Sequence, residues 1–348
     1  MKSCKLKKKV QALLCVAAIC GAILNTGFSV YAADNTSNSR LRMSFAVMSD
    51  VHNDDVKFDK ALKDIHNNID PNYSALVLNG DIVDEGKQSE YNNIDTVLRN
   101  DAGIIPKTVI KDIGNHEFYD YSKGENTEDD SNQFLGLSLN FEGQVHPYHE
   151  KWVNGYHFIS LGSEKTYTKD MRDDCQAYLS DAQLNWFKNT LAENYRKGKP
   201  IFVFIHQPLN HSFFTTYDDC AEAIQQDAQV KAILANYPEV ILFSGHTHYY
   251  LNDQDPNKKN FLSHLPGVDK GFAMVDSSSV HRPVNYGSSQ APYTPDKEKD
   301  VVGLSQGLFV QVYNDKVVIK GREFSNSTWI DGANFVVNYD NQYLNWDR

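Results

Sequence analysis

Cysteine is scarce in this chain, and its spacing does not suit metal binding. The 348 residues contain five, of which Cys4, Cys15 and Cys20 fall in the first 20 positions, leaving Cys175 and Cys220. Neither belongs to a Cys-x-x-Cys pair, which argues against a thiolate metal site. In an oxidising compartment the two could form one disulfide, or remain two unrelated thiols. His-Glu-x-x-His is absent, which removes the metalloprotease helix built on that motif. Positive charge is short as well: 34 Lys and Arg face 45 Asp and Glu, for a net charge of −11. An acidic chain is a poor candidate for tracking a nucleic-acid backbone. Internal repeats and an interdomain linker are also missing. Apolar residues are not scarce. They make up 41% of the chain, with 19 Tyr and 18 Phe, enough for a sizeable core and too many for a disordered chain.

The first 32 residues read as a secretion signal. Lys2, Lys5, Lys7, Lys8 and Lys9 form a basic start, an apolar run extends from Val10 to about Leu24, and Val30-Tyr31-Ala32 offers a cleavage site after Ala32. An uncleaved membrane anchor is the alternative, but Gln11 and Gly21 interrupt the run and it is short for a full span. A lipoprotein site at Cys20 is disfavoured by the bulky Ile19 before it. The expected product is secreted or extracytoplasmic and has no stable membrane association. Cleavage takes away five lysines and no acid, moving the net charge from −11 to −16. Such a protein needs cations to attract an anionic substrate, and bound divalent metals would supply them.

Residues 33–40 are polar and read as a flexible lead-in, and 41–345 as a single domain. Short apolar runs at 43–49, 74–79, 108–113, 156–161, 200–205 and 240–243 predict buried strands. Helical spacing appears at 56–68, 87–99 and 181–195, the last with Ser180 as a cap. This alternation predicts an α/β fold with a parallel sheet and crossovers. Residues 118–150, rich in acids, Asn and Gly, read as a long loop or small insertion, and 251–270 as irregular. The stretches 308–313, 316–320 and 334–339 alternate like antiparallel strands, with Asn314-Asp315 as a hairpin turn.

Five clusters carry the chemistry, and each follows an apolar strand: Asp50-Val51-His52, Gly80-Asp81-Ile82-Val83-Asp84, Gly114-Asn115-His116-Glu117, His206, and Gly245-His246-Thr247-His248. Loops at the C-terminal ends of parallel strands share one edge, so distant clusters can meet in one site. Carboxylate, neutral imidazole and an Asn carbonyl are ligands for Mn, Fe, Zn or Co. In an extended segment residues i and i+2 face the same way, so Asp50 and His52 could grip one ion, while His246 and His248 could each serve a different one. Asp81, after the permissive Gly80, is the natural bridge. Singly, each cluster has a plain reading: a surface polar pair, a turn, a buried histidine. Their common position and complementary chemistry make the case.

The five clusters resemble those of the calcineurin-like metallophosphoesterase superfamily, and the chain looks like a secreted bacterial-type member. That pattern is Asp-x-His, Gly-Asp-x-x-Asp, Gly-Asn-His-Glu/Asp, a separate His, and Gly-His-x-His, and every block is present between Asp50 and His248. The resemblance implies two packed mixed β-sheets flanked by helices, a four-layer sandwich. It implies two divalent metal ions, one held by Asp50, His52, Asp81 and His248, the other by Asp81, Asn115, His206 and His246. It implies a metal-bridged hydroxide attacking a phosphomonoester or phosphodiester in line, with His116 assisting the leaving group and Asp84 orienting His116. N/O ligands alone do not fix the metal's identity.

The departures narrow the family. Purple acid phosphatases carry Tyr where Asp84 stands, which argues against an iron–tyrosinate centre. Protein Ser/Thr phosphatases carry a phosphate-gripping Arg where Glu85 stands, so a protein substrate is disfavoured and a small-molecule phosphate ester favoured. The competing reading is a non-catalytic scaffold that binds partners with the same face. Loss of ligands or of His116 would favour it, and all are present. His66, His146, His149, His157, His211, His264 and His281 fit no block and read as surface or packing residues, with His211, five residues after His206, a candidate for substrate contact. Tyr249 and Tyr250 could line the mouth or pack.

Overall fold

The computed structural model describes residues 39–338 except 124–126, 167–174, 194, 211, 213–222, 253–261, 265–270, 286–298 and 301–302. The signal and most of the lead-in, His211, Cys220 and Tyr339 therefore lie outside the described residues, as do the side chains of 262–264 and 299–300.

Two six-stranded sheets carry the fold. Fourteen strands are described: β1 (Leu41–Met48), β2 (Ala75–Asn79), β3 (Val109–Asp112), β4 (His149–Val153), β5 (Tyr156–Ser160), β6 (Ile201–Phe204), β7 (Val240–Ser244), β8 (Leu262–His264), β9 (Ala273–Asp276), β10 (Val284–Asn285), β11 (Lys299–Asp300), β12 (Gln306–Tyr313), β13 (Lys316–Glu323) and β14 (Thr328–Asn338). The first sheet runs β14-β13-β12-β1-β2-β3 and the second β4-β5-β6-β7-β9-β8, with β10 and β11 as a separate pair. β1, β2 and β3 are parallel neighbours, and so are β5, β6, β7 and β9. Antiparallel strands complete both sheets: β12 to β14 in the first, β4 and β8 in the second. Both sheets are thus mixed, as the resemblance implies, where alternation alone predicted one parallel sheet. Asn314-Asp315 joins β12 to β13, as predicted.

Alternation along each strand builds the layers. Phe45 and Val47 face the second sheet, in a core with Phe158, Phe202, Phe204, Phe243, Val310 and Ile319. Ala46 and Met48, one residue out of step, pack instead with α1 (Asp55–Asn68) and α2 (Gln88–Asn100). Ile159, Val203 and Leu242 pack the second sheet's outer face with α4 (Asp181–Glu193) and α5 (Asp227–Leu234). Both faces of the central strands are covered, which is why they read as unbroken apolar runs. Phe45 meets Phe158 and Phe202 edge-on, at centroid distances of 5.0 and 4.8 Å.

One expectation fails clearly. Of the two readings of residues 118–150, the long loop is wrong and the small insertion stands, because α3 (Glu128–Glu142) occupies the middle of the stretch. Thr127 Oγ1 accepts from the Asp130 N–H, the Asp130 carboxylate accepts from the Thr127 N–H, and Gly143 closes the helix at φ 71°. The run of acids taken for loop composition is the helix's first turn, where negative charge meets the positive end of the dipole. Ser180 does cap α4, its hydroxyl accepting from Gln183 N at 3.2 Å.

Candidate metal centre

Asp50, Asp81, His206 and His246 each stand two residues beyond a strand end, after β1, β2, β6 and β7, and Asn115 three beyond β3. The two sheets present these ends at one edge, and the side chains meet there. His206 Nε2 lies 2.9 Å from Asp81 Oδ2 and 3.8 Å from Asp50 Oδ1. His248 Nε2 lies 2.9 Å from Asp50 Oδ1 and 3.0 Å from His52 Nε2. His246 Nδ1 is 2.9 Å from Asn115 Oδ1, whose amide nitrogen donates to the Tyr119 hydroxyl. Three groups of mutually close donor atoms result: Asp50, His52 and His248; His52, Asp81 and His116; and Asp81, His206 and His246. All seven candidate ligands are thus brought together, with Asp81 shared between groups.

The local backbone differs from the extended segments expected from Asp-x-His and His-x-His. Asp50, His52, Asp81, His246 and His248 have φ of 54°, 47°, 48°, 69° and 52°. Left-handed non-glycine residues are uncommon, and their concentration at one site marks backbone held under strain by its surroundings. Gly80 (φ 80°) and Gly245 allow the close approach: a Cβ on the first would fall 2.6 Å from the His206 ring, on the second 1.9 Å from Ser49 Oγ.

Hydrogen bonds fix the tautomers. His206 Nδ1 is 2.8 Å from the Asn79 carbonyl, His248 Nδ1 3.0 Å from the Arg282 carbonyl, and His52 Nδ1 3.1 Å from Asp84 Oδ1. Each partner only accepts, so each Nδ1 carries the proton and each neutral ring aims its Nε2 lone pair inward. Those lone pairs face carboxylate oxygens and one another, and the buried His206 Nε2 finds no well-directed hydrogen bond. With the rings neutral, acceptors converge on acceptors, which positive charge between them relieves; a second proton on His206 supplies part of that charge, and bound cations would supply it in full. Divalent cations fit this donor set, with the Nδ1 bonds acting as the outer partners that ligating histidines need.

On protein charges alone the rings diverge. Burial depresses His206, but Asp81 and Asp50 outweigh it and push the ring up to about 10. Burial brings His52 and His246 down to about 4. Burial also opposes ionisation of Asp50 and Asp81, yet the neighbouring histidines hold both below the usual carboxylate range. His116 is pushed up to about 9, because Asp81's charge and the bonds to Asp84 overcome its burial. Its Nδ1 sits 2.9 Å from the Asp84 carbonyl, 3.5 Å from Asp84 Oδ1 and 3.3 Å from the Tyr121 hydroxyl. The Asp84 carboxylate lies nearer His52 than His116, so this residue touches both histidines, holding His116 mainly through its main chain.

Two buried acids escaped sequence reasoning as site residues. Glu117 accepts from the N–H groups of Asp81 (3.1 Å), Ile82 (2.7 Å) and Gly114 (2.6 Å), tying two of the ligand loops together. Burial pushes its carboxyl up to about 7. Its place in the Gly-Asn-His-Glu block was visible, but its inward role was not. Asp276, at the end of β9, accepts from the Thr247 hydroxyl between two ligand histidines and from Ser278 N at 2.8 Å. Its signal was an apolar run ending in an acid, the same pattern as the recognised clusters. His281 stands at the rim, its ring 5.6 Å from His52 and its Nδ1 3.0 Å from Asp54 Oδ2. His146, His149 and His157 pair away from the site, with Tyr148, Asp112 and Glu150. Tyr249 is a core residue, while Tyr250 is half-buried.

The model of the calcineurin-like phosphoesterase family matches residues 43–250. No curated protein matches in sequence. A dimetal phosphatase from Danio rerio superposes with a TM-score of 0.55 at 15% identity, over 86% of this chain and all 100% of that one. A purple acid phosphatase from yellow lupin (Lupinus luteus) seeds gives 0.53 at 14% identity, over 86% of this chain and 54% of that one. At these identities the likeness is one of fold.

Proposed function

This chain belongs to the calcineurin-like phosphoesterase family and is a metal-dependent phosphoesterase, and we propose that it is exported and hydrolyses a small-molecule phosphomonoester or phosphodiester. The observation that carries the reading is the inward convergence of three imidazole lone pairs on two buried carboxylates. One ion would be held by Asp50, His52, Asp81 and His248, and a second by Asp81, Asn115, His206 and His246. Two such cations supply charge to bind the phosphoryl oxygens and make an attacking water acidic.

The chain's own residues do the rest. Asp81 and Asp50 orient the donor set and balance its charge. His116, protonated on protein charges alone and fixed through Nδ1 by Asp84, keeps Nε2 to donate a proton to the leaving oxygen. Asp84 also sets the His52 tautomer, so one residue serves both a proposed ligand and the proposed acid. Glu117 holds the loops of Asp81 and Asn115 in register. Export is supported by the basic–apolar–small pattern of residues 1–32.

The test is an assay of the purified protein, reconstituted with Mn²⁺, on an aryl phosphomonoester and an aryl phosphodiester, with and without chelator. Chelator-sensitive turnover is expected, and the preferred ester assigns the substrate class. Turnover that survives complete removal of metal would overturn the proposed chemistry.

A further inference from the structure

The opposite edge of the sheets holds a second feature. A cavity of about 450 Å³ opens among Arg42, Asn154, Tyr156, Lys199, Tyr313 and Asn314. Arg42 is the second residue of β1, and Asp50 lies eight residues further along, about 25 Å at the rise of an extended strand. Asn154 belongs to the turn joining β4 to β5, Lys199 precedes β6, and Asn314 belongs to the turn joining β12 to β13. The cavity therefore sits where the parallel strands begin, remote from the metal centre where they end.

Its lining has one sign of charge. Among the described residues Arg42 and Lys199 are its only ionic lining, in a chain where acids outnumber bases 45 to 34. Lys199 Nζ lies over the Tyr156 ring, 5.1 Å from its centroid, and Lys316 Nζ over that of Tyr313 at 5.6 Å. Among the described residues none of these three cations has an acidic partner within ion-pair distance. The neighbouring Asp315 accepts through Oδ1 from the Ser39 hydroxyl at 2.7 Å. The two amides are complementary. Asn314 Oδ1 accepts from the Arg40 N–H, leaving its NH₂ to donate. Asn154 donates its NH₂ to Ser74 Oγ at 2.9 Å, leaving its carbonyl oxygen to accept.

We propose that this cavity is a binding site for an acidic sugar, a single ring bearing one carboxylate or phosphate. Arg42 and Lys199 take the anionic group, and the two amides meet ring hydroxyls as donor and acceptor. Its occupancy is independent of the metal centre and of the ester the enzyme cleaves.

Calorimetric titration of the chelator-treated protein tests this, with glucuronate, glucose 6-phosphate, inorganic phosphate and glucose as probes. Chelation prevents turnover of the phosphate. Both acidic sugars should bind, and glucose should bind at least about tenfold more weakly, because it lacks the charge. R42A/K199A should weaken glucuronate by at least about tenfold while keeping the wild-type melting curve and phosphoesterase activity. Asp81→Asn should leave glucuronate binding unchanged. Undiminished binding by the double variant, loss of binding in Asp81→Asn, or no binding of either acidic sugar at millimolar concentration would each overturn the proposal. Equal binding of inorganic phosphate and glucose 6-phosphate would reduce the site to an anion hole and overturn the sugar assignment.

Discussion

The inter-sheet core and the edge where its strands end are built from adjoining residues of the same strands, yet they obey opposite rules. In the core, Phe45, Phe158, Phe202 and Phe243 sit on regular strands, wholly apolar and edge to face. Two residues past the strand ends the backbone turns left-handed, and buried carboxylates confront buried imidazoles. The core gains stability from burial, and the edge spends some of it to hold charged groups at short range. The contrast says that a change in the core should unfold the protein without altering its chemistry, and a change at the edge should do the reverse.

Breaking the edge should give the largest effect. His116→Ala removes the proposed proton donor and should slow kcat by about 10²–10⁴-fold with metal content unchanged; unaltered kcat would remove the acid role. The core counterpart is Phe202→Ala, which should cost about 3–5 kcal/mol in denaturant unfolding while the folded fraction binds metal as before. A large loss of metal affinity in that variant would erase the distinction between the two regions.

Glu117→Gln lies between the two regions, because Glu117 is buried like a core residue yet serves the edge. It should weaken metal binding by about 10–100-fold, the usual size of an effect on a ligand's support, with a far smaller change in unfolding free energy. The smallest effect concerns Asp112, at the end of β3, whose carboxyl burial pushes up to about 7 from 3.8. A folded-state value above the unfolded one means the native state holds the proton more tightly, so stability falls as pH rises from 3.8 to about 7. Asp112→Asn should flatten that decline in chemical denaturation across this window. A decline of unchanged slope would show that other groups cause it.

Much of this contrast was legible in the residues. Strand ends could be read because β1, β2, β6 and β7 are apolar on both faces and each stops at a polar cluster. What sequence patterning missed was direction and reach. The left-handed turns at Asp50 and His246 are imposed by the meeting of two sheets, which no local pattern encodes. Asp84 looked like a partner of His116 alone, and its carboxylate proved closer to His52, because it sits between the two rings. Asp276 and Glu117 act through backbone and hydroxyl groups brought near by folding, and neither is close in sequence to all its partners. The helix α3 was legible from Thr127, Asp130 and Gly143, but the acids between them resembled loop composition.

Asp81 is proposed to hold two ions at once, and counting metal per chain would decide it. Wild-type and Asp81→Ala proteins, each loaded with Mn²⁺ and desalted, would be measured for metal per chain by mass spectrometry, with circular dichroism to verify folding. Two ions per wild-type chain are expected, and fewer than one in the folded variant. Two ions retained without Asp81, or none in the wild type, would rule out the bridging role.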